Sequence, residues 1–173
     1  MFERYSNRAR CLIVMALWSA RRRGGLYIEP EDLLHALIRE DRGELPAVSS
    51  EVFPGPPGPV PDSGSGRQHF FSGEVARNLL RELHQDPDPL LAEPRTAKLE
   101  PAPHTDLPVS RALMDVLALV AKAHRTDTKT IEPLDLLAAI VANRESRLAQ
   151  LLRDHGITRQ KVYQALHAAS ELD

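Results

Sequence analysis

The side chains best suited to catalysis or metal binding are seven histidines and a single cysteine, Cys11. No two histidines are three or four residues apart, the spacing that places two metal ligands on one face of a helix. The sequence contains neither a Gly-x-Ser-x-Gly nucleophile motif nor a Gly-x-x-x-x-Gly-Lys-Ser/Thr loop for the phosphates of ATP. It therefore predicts no metal site, no cofactor, no ATPase activity and no other enzymatic activity, with Cys11 as a structural thiol.

Charged residues at predicted helix ends are the next candidates, and they suit contact with another protein. Arg21, Arg22 and Arg23 end the first predicted helix, where they either stabilise the helix dipole in solvent or contact an acidic partner. Glu31 lies in the first turn of the second predicted helix, where an acidic side chain is favoured by the same dipole. Both interpretations remain open for each of the four residues.

Composition narrows the class of protein. The 173 residues are 42% apolar, enough for one modest core, and 22 Lys and Arg against 24 Asp and Glu give a net charge of −2. This balance supplies no overall positive field for nucleic acid. The longest apolar run, Cys11 to Trp18, is far shorter than the roughly 20 residues of a membrane span. With no signal-peptide pattern at the N-terminus, we expect a cytoplasmic protein that binds neither nucleic acid nor membrane.

Two parts of the chain are similar to each other. The sequence Ile-Glu-Pro-x-Asp-Leu-Leu occurs at residues 28–34 and again at residues 131–137, an offset of 103. Without a gap, eleven of the 31 pairs from Arg8/Arg111 to Ile38/Val141 are identical. Chance similarity between two amphipathic helices does not produce such a shared motif, so the sequence predicts a tandem repeat.

Each repeat has the pattern of a small helical unit. From Ala9 to Ala20 apolar residues recur three and four positions apart, which predicts a core-facing helix that Gly24 and Gly25 end. Pro30 suits the first position of a second helix. In the second repeat, further helices are predicted around Leu148–Leu152, closed by Gly156, and after a Thr158 cap. A helix at Ser72–Gln85 is the expected counterpart of this last one.

Proline marks the segments outside these helices. Twelve of the fourteen prolines lie between Pro46 and Pro108, and residues 54–66 contain five Pro and four Gly. This composition predicts a mobile insertion at about residues 46–71 of the first repeat. Phe70 and Phe71 border it, and they are either docking side chains for a partner or ordinary core residues. A second Pro-rich stretch, residues 86–106, is predicted to link the repeats.

The motifs resemble a known family. Phe2-Glu3-Arg4-Tyr5-Ser6-x-Arg8-Ala9, followed by Ile28-x-Pro30-Glu31-x-Leu33-Leu34, is similar to the N-terminal domain of Clp/Hsp100 chaperones. The resemblance implies an all-α fold of two pseudo-symmetric four-helix repeats packed as one domain, in residues 1–85 and 107–173. It also implies that Glu31 occupies the position of an acidic residue that binds phosphoarginine in some relatives. The equivalent in the second repeat is Leu134, which cannot accept a hydrogen bond.

The resemblance implies a non-catalytic protein-interaction module, because the ATPase segments of a full Clp chaperone are absent from the sequence. We expect an adaptor, accessory or substrate-docking protein, a monomer or weak homodimer. Its expected partners are Clp-type ATPase or protease subunits and unfolded or tagged substrates. Candidate contact residues are Arg21, Arg22, Arg23, Glu31, Phe70 and Phe71. A helical nucleic-acid-binding regulator and an N-terminal fragment of a larger Clp ATPase are the alternatives.

Overall fold

A computed structural model of the chain describes residues 3–42, 70–83, 107–125, 129–143 and 146–170. The ordered elements in these residues are helices and two isolated β-bridges, as the all-α prediction requires. The helices are α1 (Asn7–Arg22), α2 (Pro30–Asp41), α3 (Gly73–Glu82), α4 (Arg111–Ala123), α5 (Pro133–Ala142), α6 (Arg147–Asp154) and α7 (Arg159–Ser170). The predicted insertion at about residues 46–71 lies outside the described ranges except for residues 70 and 71, and the predicted linker at 86–106 lies wholly outside them. None of the helices in those ranges is long and apolar enough to cross a membrane.

Local signals start and stop the helices where the sequence predicts. The hydroxyl of Ser6 accepts a hydrogen bond from the backbone N–H of Ala9 and caps α1. At the other end, Gly24 has a φ of +68° and the N–H of Gly25 donates to the carbonyl of Ala20 at 2.8 Å. This is the Schellman arrangement, which glycine adopts without strain. Gly156 ends α6 in the same way.

The helices α2 and α5 are the second helices of the two predicted repeats, which are called the two halves below, and both start with the same capping arrangement. Pro30 and Pro133 occupy the first helical position of α2 and α5. Two residues later an aspartate accepts the backbone N–H of the residue before the proline, at 2.9 Å from Asp32 and 2.8 Å from Asp135. The repeated Glu-Pro-x-Asp sequence is therefore a helix-capping signal.

Two short parallel pairings join the halves reciprocally. Tyr5, ahead of α1, pairs with Ile131, ahead of α5, while Ile28, ahead of α2, pairs with Val109, ahead of α4. Four backbone hydrogen bonds of 2.8–3.0 Å form the pairings. The Arg4 side chain also donates to the carbonyl at the end of α4, at 2.7 Å. Because each half supplies one segment to each pairing, the halves hold each other in place.

One hydrophobic core contains residues from all seven helices. Its most deeply buried large side chains include Leu33 and Leu34 of α2 and Leu136 of α5, which lie within the repeated motif. α2 contacts α4 and α5 as well as α1, so it lies between the two halves. Burial of apolar surface from both halves in one core is the main stabilising term.

The structure corrects the gapless alignment of the first helices by one residue. The caps of α1 and α4 are Ser6 and Ser110, which are 104 positions apart, whereas α2 and α5 keep the offset of 103. At 104, buried Leu12 corresponds to buried Val116; at 103 it would correspond to exposed Asp115. From the serine cap to the proline that starts the second helix, the first half therefore has one residue more than the second. The connection between the two helices accommodates this extra residue, so the core-facing side of each helix is kept.

Candidate functional site

The turn between α1 and α2, residues 23–28, is the candidate functional site, and Arg23 organises it. Its guanidinium donates to both carboxylate oxygens of Asp32, at 2.9 and 2.8 Å, and to the carbonyl of Tyr27 at 3.0 Å. Asp32 is fully buried, and a buried carboxylate is costly unless it is paired with a positive charge. Arg23 supplies that charge. The hydrogen bonds that Arg23 donates to Asp32 raise the pKa of Arg23, which keeps the guanidinium charged.

The two glycines of the turn leave room for the Arg23 side chain to reach Asp32. Gly24 supplies the positive φ, and a Cβ added to Gly25 would lie 2.6 Å from a guanidinium nitrogen of Arg23. Real Cβ atoms do not approach so closely, and the guanidinium is held by Asp32, so a side chain at position 25 would disturb the ion pair. The conformation of the turn is thus held by the backbone of Gly24 and by the hydrogen bonds of the Arg23 side chain.

Leu26 and Tyr27 project from this fixed turn. Leu26 is 77% exposed and Tyr27 is 50% exposed, the highest values among the large apolar side chains given for the described residues. Surface apolar residues are ordinary when single, but an adjacent pair on a rigid turn is typical of an interaction site. The sequence analysis missed both residues, although their position directly after Gly24-Gly25 and outside the helical pattern was an available signal.

The predicted charged candidates lie around the same turn. Arg22 and Arg23 are exposed, whereas Arg21 and Glu31 are half-buried. Arg23 is committed to Asp32, so its role in the turn is positioning. In the second half, Leu134 is half-buried at the position of Glu31. The structure places Glu31 near Arg23, close enough for its negative charge to contribute to the raised pKa of Arg23.

Phe70 and Phe71 lie elsewhere, at the start of α3. Phe71 is 3% exposed and Phe70 is half-buried against the core. The Asp41 carboxylate, at the end of α2, accepts both of their backbone N–H groups, at 3.2 and 3.0 Å. Phe71 is therefore a core residue, the alternative that the sequence left open, and is not available to a partner. Asp41, which the sequence analysis did not single out, binds the backbone just before α3 to the end of α2.

The buried His35 and the half-buried Cys11 both have shifted pKa values. Burial lowers the pKa of His35 to about 4, with Arg39 and Arg22 adding to the effect, and raises the pKa of the Cys11 thiol to about 11. His35 is thus neutral at pH 7, and Cys11 is a protonated thiol, which is a poor nucleophile. Among the described residues, no group of three or more His, Cys, Asp or Glu side chains could hold a metal ion.

The fold defines a class of protein: the described helices have the architecture of the N-terminal domain of Clp chaperones. A similar solved structure is the N-terminal domain of the caseinolytic-protease-associated chaperone ClpD from Arabidopsis thaliana, with a TM-score of 0.57 and 21% identity. The match covers 99% of this chain and 97% of that one. No protein-family profile and no curated protein sequence matches the chain. The likeness establishes the fold.

Proposed function

We propose that this protein is a non-catalytic interaction module that serves a Clp-type ATPase and protease system as an adaptor, accessory or substrate-docking protein. The Clp N-domain fold over 99% of the chain carries the proposal. The sequence supports it, because no phosphate-binding loop for ATP is present. The expected setting is the cytoplasm, with Clp ATPase or protease subunits and unfolded or tagged substrates as partners and a monomeric or weakly dimeric state.

The candidate site supports contact with protein in preference to nucleic acid. An exposed leucine and tyrosine side by side offer apolar and aromatic surface, which contributes much of the binding free energy at protein interfaces. The chain has a net charge of −2, and the start of α2 adds the carboxylates of Glu29 and Glu31, so the phosphate backbone of DNA or RNA meets no excess of positive charge there.

The test uses the full chain and the purified Clp ATPase and Clp protease of the same organism. We expect the immobilised chain to capture one of them and to change the ATP hydrolysis rate of the ATPase when added in trans. A labelled DNA duplex at low salt is the control, and it should not bind. Absence of binding to both Clp proteins, together with an unchanged ATPase rate, would refute the proposal. A DNA shift would instead favour the regulator alternative.

A further inference from the structure

The outer side of α4 differs from an ordinary surface helix because most of its exposed residues are apolar. Nine of the 13 residues of α4 are exposed, and six of these nine are apolar: Ala112, Met114, Ala118, Leu119, Ala121 and Ala123. By contrast, the six exposed residues described in α7 are polar except for Ala168. The other side of α4 lies in the core. A helix that is apolar on all sides is ordinarily covered on all sides, so the outer side of α4 is suited to a partner.

Positive charges lie at both ends of this face. Arg111, Met114, Ala118 and Lys122 follow one another three or four positions apart, so they share one side of the helix. Arg125 lies beside Lys122, because its backbone N–H donates to the Lys122 carbonyl at 3.3 Å. All three cationic residues are exposed. Arg111 and Lys122 are separated by about 17 Å along the helix, which leaves the apolar residues between them.

These cations are not neutralised by the rest of the described chain. Within its ranges, the side chains of Arg111, Lys122 and Arg125 form neither a hydrogen bond nor an ion pair. The single exposed acidic residue of α4 is Asp115, so the face keeps a net charge of +2. The helix dipole favours Lys122 and Arg125 near the C-terminus but disfavours Arg111 in the first turn. Helix stability therefore does not account for the charge of Arg111.

The corresponding side of α1 has no such face. At the equivalent positions, 104 residues earlier, Arg10, Val14 and Trp18 are half-buried. The guanidinium of Arg10 also donates to the carbonyl of Glu3 at 3.0 Å. The exposed apolar face with unpaired cations is thus a property of the second half alone and does not follow from the repeated fold.

We propose that the outer side of α4 docks an amphipathic helix of a partner protein that carries carboxylates at both ends of its apolar side. Met114 and the exposed alanines contact the apolar side of that helix. Arg111 attracts the carboxylates at one end, and Lys122 and Arg125 attract those at the other. The inference rests on the proposed function, since it names the chemistry of a partner that the interaction module recognises.

The experiment screens a phage-displayed library of helical 18-residue peptides against the immobilised full chain. Enriched peptides are synthesised with a fluorescent label, and their affinities are measured by anisotropy in 50 and 300 mM NaCl. The test variants are Arg111→Glu/Lys122→Glu and Ala118→Gln. Each has a matched control at exposed positions of another helix, Arg77→Glu/Arg81→Glu in α3 and Ala168→Gln in α7.

We expect the enriched peptides to carry Asp or Glu at both ends and apolar residues between them. Arg111→Glu/Lys122→Glu should bind them about tenfold more weakly or worse and lose most of the salt dependence. Ala118→Gln should weaken binding about fivefold, because it places a polar side chain at the centre of the contact. Both control variants should keep the wild-type affinity to within about twofold.

A stability measurement excludes unfolding as the cause of weaker binding. Arg111→Glu places an acidic side chain in the first turn of α4, where the helix dipole favours it, so the urea midpoint of the double variant should not fall. Enrichment without an acidic excess, no enrichment, or equal loss in the controls would each overturn the inference. Sedimentation of the wild-type chain as a dimer that Ala118→Gln dissociates would show a second copy on this face and would overturn it as well.

The same variants separate this inference from the proposed function. If the wild-type chain and Arg111→Glu/Lys122→Glu bind the Clp ATPase and the Clp protease equally well, the proposed function stands and the docking role of α4 falls. If acidic helical peptides bind through α4 but neither Clp protein binds the chain, the docking role stands and the proposed Clp partnership falls.

Discussion

The buried His35 makes it possible to measure how much a positive charge in the core would cost in free energy of unfolding. It lies on α2, the helix between the two halves, and only 2% of its surface is exposed. Neither ring nitrogen has a hydrogen-bond partner within the described part of the chain. Its pKa is lowered from 6.5 to about 4, mainly by desolvation and also by the positive charges of Arg39 and Arg22, while Asp32 partly opposes these effects. The folded protein thus holds a neutral imidazole that becomes charged more readily once the chain unfolds.

The pH dependence follows from this difference. Between pH 6.5 and pH 4 the unfolded state binds a proton at His35 that the folded state does not, so the free energy of unfolding decreases as the pH falls. The full shift corresponds to about 3 kcal/mol. Between pH 7.5 and pH 5.0 the expected loss from His35 is about 2 kcal/mol, and carboxylates add their own contribution at the acidic end.

The variant His35→Leu removes the titrating group and keeps a side chain of similar volume in the helix. Urea unfolding followed by circular dichroism at the two pH values measures the difference. The wild-type midpoint should fall by about 1 M more than that of the variant. The variant should also be more stable at pH 7.5, by about 1 kcal/mol, because an unsatisfied polar group has left the core.

A matched control is His167→Leu, which changes an exposed histidine of α7. It should follow the wild-type curve at both pH values. If His35→Leu loses as much stability between pH 7.5 and pH 5.0 as the wild-type protein does, the imidazole is not held neutral in the core and the reasoning fails.

Three further predictions address the helix ends and the thiol. Asp32→Ala should lower the free energy of unfolding by about 2 kcal/mol, because it removes a helix cap and the partner of Arg23; the matched Asp135→Ala, in a more exposed cap, should cost about 1 kcal/mol in the same urea titration. Gly24→Ala should cost about 1 kcal/mol, since its φ is positive, and an unchanged urea midpoint would contradict this. Cys11 should react with a disulfide reagent at pH 8 more than about 100-fold slower than free cysteine, because only about one thiol in a thousand is ionised when the pKa is about 11. Rapid labelling of the folded chain would be the contrary result.

The helices and their ends were predictable from the sequence because the signals are local. Ser6 and Ser72 cap the helices that follow them, and Pro30 occupies the first position of α2, as their residue types favour. Gly24 and Gly156 end α1 and α6 because glycine adopts a positive φ at little cost. The apolar spacing identified the core-facing side of α1, and the repeated motif indicated that the same unit occurs twice.

The candidate site was predictable only in part. The arginine run and Glu31 were predicted to lie near each other because they stand at the end of one helix and the start of the next, and they remain candidates for contact with a partner. The sequence did not show that Arg23, although partly exposed, is paired with the buried Asp32. It also missed Leu26 and Tyr27, because apolar residues outside a periodic pattern carry no local sign of whether they are buried.

The remaining features depend on contacts between residues far apart in the chain. Phe71 is buried in the core, and its backbone N–H donates to Asp41, 30 positions earlier in the chain. The one-residue shift between α1 and α4 appears only when both helices pack on a common core. The pairings of Tyr5 with Ile131 and of Ile28 with Val109 join segments that no local pattern relates. Helix formation and capping act over about four residues, so the sequence alone determined them; burial and pairing act across the whole chain, so only the tertiary structure decided them.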